Sequence, residues 1–195
     1  MRRLLACSCL ALGVLRGAAA APEADGLALA AAARRQVGVT VRYDGSYARI
    51  PYPGGDVPPD RGVCTDVLVR AYRALGVDLQ VLVHEDMRTA WEAYPKLWGL
   101  TRPDPSIDHR RVPNLVAFLR RHGRSLPAGR DPRAFLPGDV VTWRLPNGLP
   151  HIGIVSDRRT PSGRPLVLHN IGAGAAEEDV LFDFPVTGHF RYPTP

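Results

Sequence analysis

The sequence is poor in the residues that would make several functions easy to read. It has three cysteines in 195 residues and a single lysine, Lys96, against 24 arginines. Cys7 and Cys9 fall in the N-terminal stretch "MRRLLACSCLALGVLRGAAA", whose basic start, apolar run and small-residue end have the layout of a secretory signal peptide. With residues 1–20 set aside as a signal, Cys64 stands alone, which excludes an internal disulfide. The apolar run from Leu4 to Leu15 is well short of the roughly 20 residues that cross a bilayer, and no later segment is longer, so no membrane span is expected. There is no Lys/Arg block either. The formal charge of +6 includes Arg2, Arg3 and Arg16 of the signal, so residues 21–195 carry +3, with basic and acidic residues interleaved. That pattern gives no support to nucleic-acid binding. His84-Glu85-Asp86 lacks the second histidine of a metalloprotease helix, and no other ligand spacing occurs, so neither a metal nor a cofactor is expected.

What remains is enough for one ordinary domain, with 45% hydrophobic residues, no internal repeat and an expected span of 21–195. The alanine-rich run Leu27 to Gln36 is helix-prone, and "VTVRYDG" alternates as a short strand. The Pro/Gly-rich loop "PYPGGDVPPDRG" leads to Cys64, where Cys64, Val67, Leu68, Ala71, Tyr72 and Leu75 form the stripe of a core-facing helix that stops at Gly76. Asp66, Arg70 and Arg73 take the other face. Residues 84–125 read as a helical section, with one helix around Asp86 to Tyr94 and a second opened by Pro113. The period then changes to two: strands are expected at Val140 to Arg144, His151 to Ser156, Leu166 to Asn170, Val180 to Phe184 and His189 to Tyr192. Helices first and an antiparallel meander second make an α+β arrangement, a nucleophile helix packed on a sheet.

An odd cysteine in an exported chain is a buried hydrophobe, an intermolecular link or a reactive thiol. Reaction requires thiolate, which the positive end of a helix dipole and a nearby imidazolium both favour. Cys64 heads its helix, and His151 opens a strand in "LPHIGIVSD" with Gly153 leaving room on the same strand face. His169 lies on the next strand, in "PLVLHN". If the two strands pair, His169 or its neighbour Asn170 is placed to bind the far ring nitrogen of His151, but alternation lets only one of them point there.

The stretches "VCTDVLVRAYRALGVDL", "LPGDVVTWRLPNGLPHIGIVSD" and "LVLHN" resemble the NlpC-type cysteine peptidases, papain-like enzymes whose best-known members cut bacterial peptidoglycan stem peptides. With "YPGGDVPPDRGVCTDV", "LVHEDM", "IDHRRVPNL" and "TGHFRYP", nearly the whole chain after the signal is similar to the bacterial family called domain of unknown function 1287. The resemblance implies a papain-like fold, Cys64 as nucleophile, His151 as general base and then acid, and His169 as its orienter, with the Cys64 amide as an oxyanion donor. It implies a periplasmic or secreted hydrolase acting on peptide or peptidoglycan. Two departures stand out. Thr65-Asp66 replaces the usual Ser-Gly, placing a carboxylate near the site, and the helical section at 84–125 is an insertion larger than in minimal NlpC domains.

Asp66 and the run His109-Arg110-Arg111 are further candidates for substrate binding, since Arg forks match carboxylates. The alternative for Asp108 to Arg111 is a loop anchor ahead of the Pro113 helix. Trp91, Tyr94 and Trp98 fit core positions better than a groove lining. Two other functions suit the same residues: a non-catalytic periplasmic binding module that keeps a papain-like groove, and an acyltransferase or amidase on a substrate outside the wall.

Overall fold

The computed structural model describes residues 26–192; the expected signal segment, with Cys7 and Cys9, lies outside the described residues. The described residues open with α1 (Gly26–Arg34), whose Leu29, Ala30, Ala32 and Ala33 are buried. The expected strand in "VTVRYDG" shrinks to β1 (Arg42–Tyr43), paired in parallel with β2 (Arg61–Gly62), and Val37, Val39 and Val41 stay exposed. Then come α2 (Cys64–Arg73), α3 (Leu79–Thr89), α4 (Val112–His122), β3 (Arg124–Ser125), β4 (Val140–Arg144), β5 (Pro150–Arg159), β6 (Pro165–Asn170), β7 (Ala175–Glu178) and β8 (Val186–Arg191).

Two further elements differ from the sequence expectation. The helix expected around Asp86 to Tyr94 begins earlier, as α3, because Asp78 accepts the Gln80 amide at its start and Leu79, Val83 and Met87 repeat every four residues into the core. Its expected end is a separate 3₁₀ turn at Trp91–Ala93. Val180 to Phe184 is a turn and not a strand: the Asp183 amide closes on the Val180 carbonyl, and Ala175–Glu178 takes the strand position instead. Those apolar residues fold back over the sheet, and Leu181 accepts the Trp143 indole N–H at 2.9 Å.

The six strands run in the order β3-β8-β4-β5-β6-β7, with every neighbouring pair antiparallel. Alternation gives the sheet two buried faces. Val140, Ile152, Ile154, Leu168 and Phe190 meet α1, α2 and α4, while Val141, Trp143, Val155 and Val167 meet Phe135 and Leu181 on the other side. Each side chain of this size contributes on the order of 1.5–3 kcal/mol when buried.

Buried polar groups pin the layers. Asp139 is fully buried and receives Arg191 at 2.6 and 2.9 Å, the Leu136 amide at 2.9 Å and His189 Nε2 at 2.9 Å. The turn before it needs Gly138 on two counts: its φ is +82°, and a Cβ there would lie 2.4 Å from the Gly26 Cα, where α1 docks. Among the described residues no helix is long and apolar enough to cross a membrane.

Candidate active site

Cys64 begins α2, so its sulfur sits where the helix amides are unsatisfied. The amides of Ile152, Thr65 and Cys64 itself favour its thiolate, yet burial outweighs them and pushes the thiol up to about 12, with the nearby Asp66 charge adding to the rise. The influence of the Ile152 amide sets the thiol beside β5. A strand N–H points within the plane of its sheet, and the β5–β6 ladder pairs Ile154 with Leu168 and Val155 with Val167 but does not extend to Ile152. The thiol therefore lies toward the open end of that ladder beside Ile152, in the helix-facing core, while His151, the residue before it, alternates to the Trp143 face.

His151 and His169 form a pair. His151 Nε2 lies 3.0 Å from His169 Nδ1, with the rings edge to face. Both project to the face that holds Trp143, whose ring lies 5.7 Å from that of His151. Their closeness depends on Gly153 between them, where a Cβ would come within 2.8 Å of Val167 Cγ1 and 3.1 Å of His169 Cβ. Burial is the largest influence on each ring and disfavours its charged form, taking His151 down to about 3 and lowering His169, the latter against the pull of Glu178. Glu178 Oε2 is 2.9 Å from His169 Nε2, off the direction of a well-formed hydrogen bond, so the contact is electrostatic.

Asn170 points the other way. Its Nδ2 donates to the Gly62 carbonyl at 3.0 Å and its Oδ1 accepts the Gly172 and Gly174 amides, which ties β6 to the segment just ahead of Cys64. Of the two candidates for binding the far nitrogen of His151, His169 is the one in contact.

The carboxylate that the sequence places beside the thiol turns inward. Asp66 is 3% exposed, unlike the solvent face expected for it. Its Oδ2 accepts the Val63 amide at 2.7 Å, and Arg110 binds both oxygens, Nε to Oδ1 at 2.8 Å and Nη2 to Oδ2 at 3.0 Å. The acid thus caps α2 and is neutralised by an arginine that is itself 2% exposed. Asp66 does not line the cleft described next, whereas Arg110, held by it, does. His109 is buried with its Nδ1 unpartnered, and burial lowers it to about 4; it does not line the cleft described next.

Cys64 opens into a cleft of about 450 Å³ whose walls include Tyr43, Tyr47, Trp98, Arg111 and Pro150. Trp98 departs from the core position expected of it. It is 54% exposed, its φ is +63°, and the Arg111 guanidinium lies over its ring at 4.2 Å. Such a backbone conformation in a bulky residue costs on the order of 1–3 kcal/mol, the kind of strain that concentrates at binding sites. Arg111 is also held by Asp108 at 3.3 Å. Val112, Pro113 and Pro150 are shared with a second cleft of about 550 Å³ that reaches Arg120, so the depression continues past the thiol. Tyr43, Tyr47 and Glu178 carry no motif that marks them in the sequence, and Glu178 lies on a strand, β7, that the sequence placed later, at Val180 to Phe184.

Residues 30–192 match the model of the family described as domain of unknown function, DUF1287. The chain belongs to that family. It is 56% identical over 166 residues to the protein described as uncharacterized protein YijF of Escherichia coli (strain K12), covering 85% of this chain and 81% of that one. Among solved structures it is similar to NlpC1 of Trichomonas vaginalis, with a TM-score of 0.46 and 18% identity over 87% of this chain, and to NlpC2 of the same organism, with a TM-score of 0.45 and 16% identity over 88%. The chain spans 45% and 49% of the lengths of those two structures. Likeness at that level has no bearing on activity.

Proposed function

We propose that the protein is an exported thiol hydrolase that cleaves an amide through an acyl-Cys64 intermediate, acting in the periplasm or outside the cell on peptides of the bacterial wall. The observation that supports it best is the buried His151–His169 pair, Nε2 to Nδ1 at 3.0 Å, on the strand whose Ile152 amide favours the Cys64 thiolate. In this reading Cys64 is the nucleophile, His151 the base and His169 the orienter of a thiol triad. The NlpC-type motifs around Cys64, His151 and His169 favour a wall peptide as substrate, and the extended cleft with Arg111 in its wall suits a chain that bears carboxylates.

The chemistry follows from the dry site. With the thiol held near 12 and the imidazole near 3, neither ionises alone at neutral pH, so the reaction requires Sγ to approach His151 and pass its proton to the ring, the two charges forming together. The thiolate adds to the amide carbonyl, and the Cys64 amide donates to the oxyanion. His151 returns the proton to the leaving nitrogen. It then takes one from water, which attacks the thioester and frees the acid and Cys64.

A second reading is a binding module without turnover. It is favoured by the enclosure of Cys64, which is only 5% exposed. Purified peptidoglycan and stem peptides incubated with wild type, Cys64→Ala and His151→Ala, with products read by mass spectrometry, separate the two. The hydrolase reading expects release by wild type, none by Cys64→Ala, and a loss of about 10²–10⁴-fold in His151→Ala. Equal product from wild type and Cys64→Ala, with ligand still bound by both, would leave only the binding module.

A further inference from the structure

We infer that Glu178 is a positioning residue of this site, its carboxylate setting which nitrogen of His169 carries the proton and, through that ring, which nitrogen of His151 is free to act as base. The inference rests on the proposal that His151 serves Cys64.

A neutral imidazole has one N–H and one lone pair. The 3.0 Å contact between His151 Nε2 and His169 Nδ1 can be made in two ways. In one, His169 donates from Nδ1, His151 accepts at Nε2, and the His151 proton sits on Nδ1. That ring has no lone pair to offer the thiol at Nδ1. In the other, His151 donates from Nε2 to a bare His169 Nδ1, and its own Nδ1 is the free base. The pair by itself does not choose between them.

The choice is made at the far side of His169. Its Nε2 is buried and has no hydrogen-bond partner of good geometry, but Glu178 Oε2 lies 2.9 Å from it. At that distance a carboxylate attracts an N–H and repels a lone pair, so the proton belongs on Nε2 and Nδ1 is left to accept. That selects the second arrangement. When Cys64 passes its proton to His151 Nδ1, the S–H bond breaks and an N–H bond forms, and Glu178 stays ionised beside the resulting imidazolium.

The sheet register explains why this acid is available. Glu178 pairs with Val167 on β6, two residues before His169, so the two lie diagonally on one face. Its neighbour Glu177 alternates to the other side, where Arg34 and Arg158 bind it. The Glu178 carboxylate makes no other ion pair or hydrogen bond among the described residues. Among the described residues, the carboxylate acting on the histidine pair is that of Glu178; beside the pair β4 presents Trp143, β5 presents Gly153 and β6 presents Val167.

Ring nitrogen shifts of ¹⁵N-labelled protein report the tautomers directly and do not depend on turnover. Wild type should show His169 protonated at Nε2 and His151 at Nε2. Glu178→Ala should move His169 toward the Nδ1–H form and slow alkylation of Cys64 by iodoacetamide at pH 7 by about 10- to 10²-fold, less than loss of the base itself. Glu178→Gln, which keeps a neutral acceptor, should hold the tautomer and most of the rate. An Nδ1–H His169 in wild type, or tautomers unchanged in Glu178→Ala, overturns the inference. Failure of wild type to release any peptide would sink the hydrolase proposal while leaving the tautomer result to stand or fall separately.

Discussion

Arg110→Ala is the sharpest test of why an acid lies two residues after the proposed nucleophile. The substitution leaves the Asp66 carboxylate, 3% exposed, with the Val63 amide as its remaining short partner at 2.7 Å. It also releases Arg110's longer contacts to the Ser46 and Asp44 carbonyls, each 3.4 Å. Stranding one member of a buried pair costs about 3–5 kcal/mol. In a domain of this size 1 kcal/mol moves Tm by roughly 2–4 °C, so the midpoint should fall by about 6–20 °C. Removing both charges with Asp66→Leu plus Arg110→Met should recover most of that loss, short by about 1–2 kcal/mol for the orphaned Val63 amide. Circular dichroism melts of the three proteins give the comparison. A chemical signature accompanies it, since an unneutralised Asp66 raises the Cys64 thiol further and slows its alkylation. If Arg110→Ala melts within about 3 °C of wild type, the pair is no anchor, and Arg110 is free for the substrate role that its sequence context suggests.

Asn170→Ala should lower stability by about 1–3 kcal/mol, because the Gly62 carbonyl and the Gly172 and Gly174 amides lose a buried partner, while the pH dependence of Cys64 alkylation keeps its wild-type shape; a shifted profile would make Asn170 the orienter. Stability should also fall as pH drops from 7 to 5. The unfolded chain protonates His109 and His151 near 6.5 while the folded rings resist until about 4 and about 3, which outweighs the opposite effect of Asp108, whose folded carboxyl takes its proton near 6 instead of 3.8. The net loss is on the order of 2–3 kcal/mol at pH 5, readable as a lower guanidinium midpoint, and an equal or higher midpoint at pH 5 would refute it.

Much of the architecture was legible because it is local. The spacing Cys64, Val67, Leu68, Ala71, Tyr72 reads as a helix wherever the helix is docked, and Gly76 and Pro113 mark ends in any context. The strands at Val140, His151 and Pro165 follow from period-two alternation between turns. Val180 to Phe184 misled for the same reason: an apolar run states only that it will be buried, and Pro185 together with the space over Trp143 made it a covering turn. Trp98 misled too, since nothing near it in the chain announces the Arg111 guanidinium that holds it in the open.

The sequence by itself determined that one cysteine heads an amphipathic helix, that two histidines stand on consecutive strands, and that strand alternation admits only one of His169 and Asn170 to the far side of His151. Those statements need only periodicity and neighbours in the chain. Tertiary structure alone decided which of the two it is, because that depends on the face β6 turns toward β5. It decided that Asp66 serves Arg110, 44 residues away, and not the solvent face its helix position suggests. It also placed Glu178 against His169, since a contact across a register has no trace in the order of residues until the strands are paired.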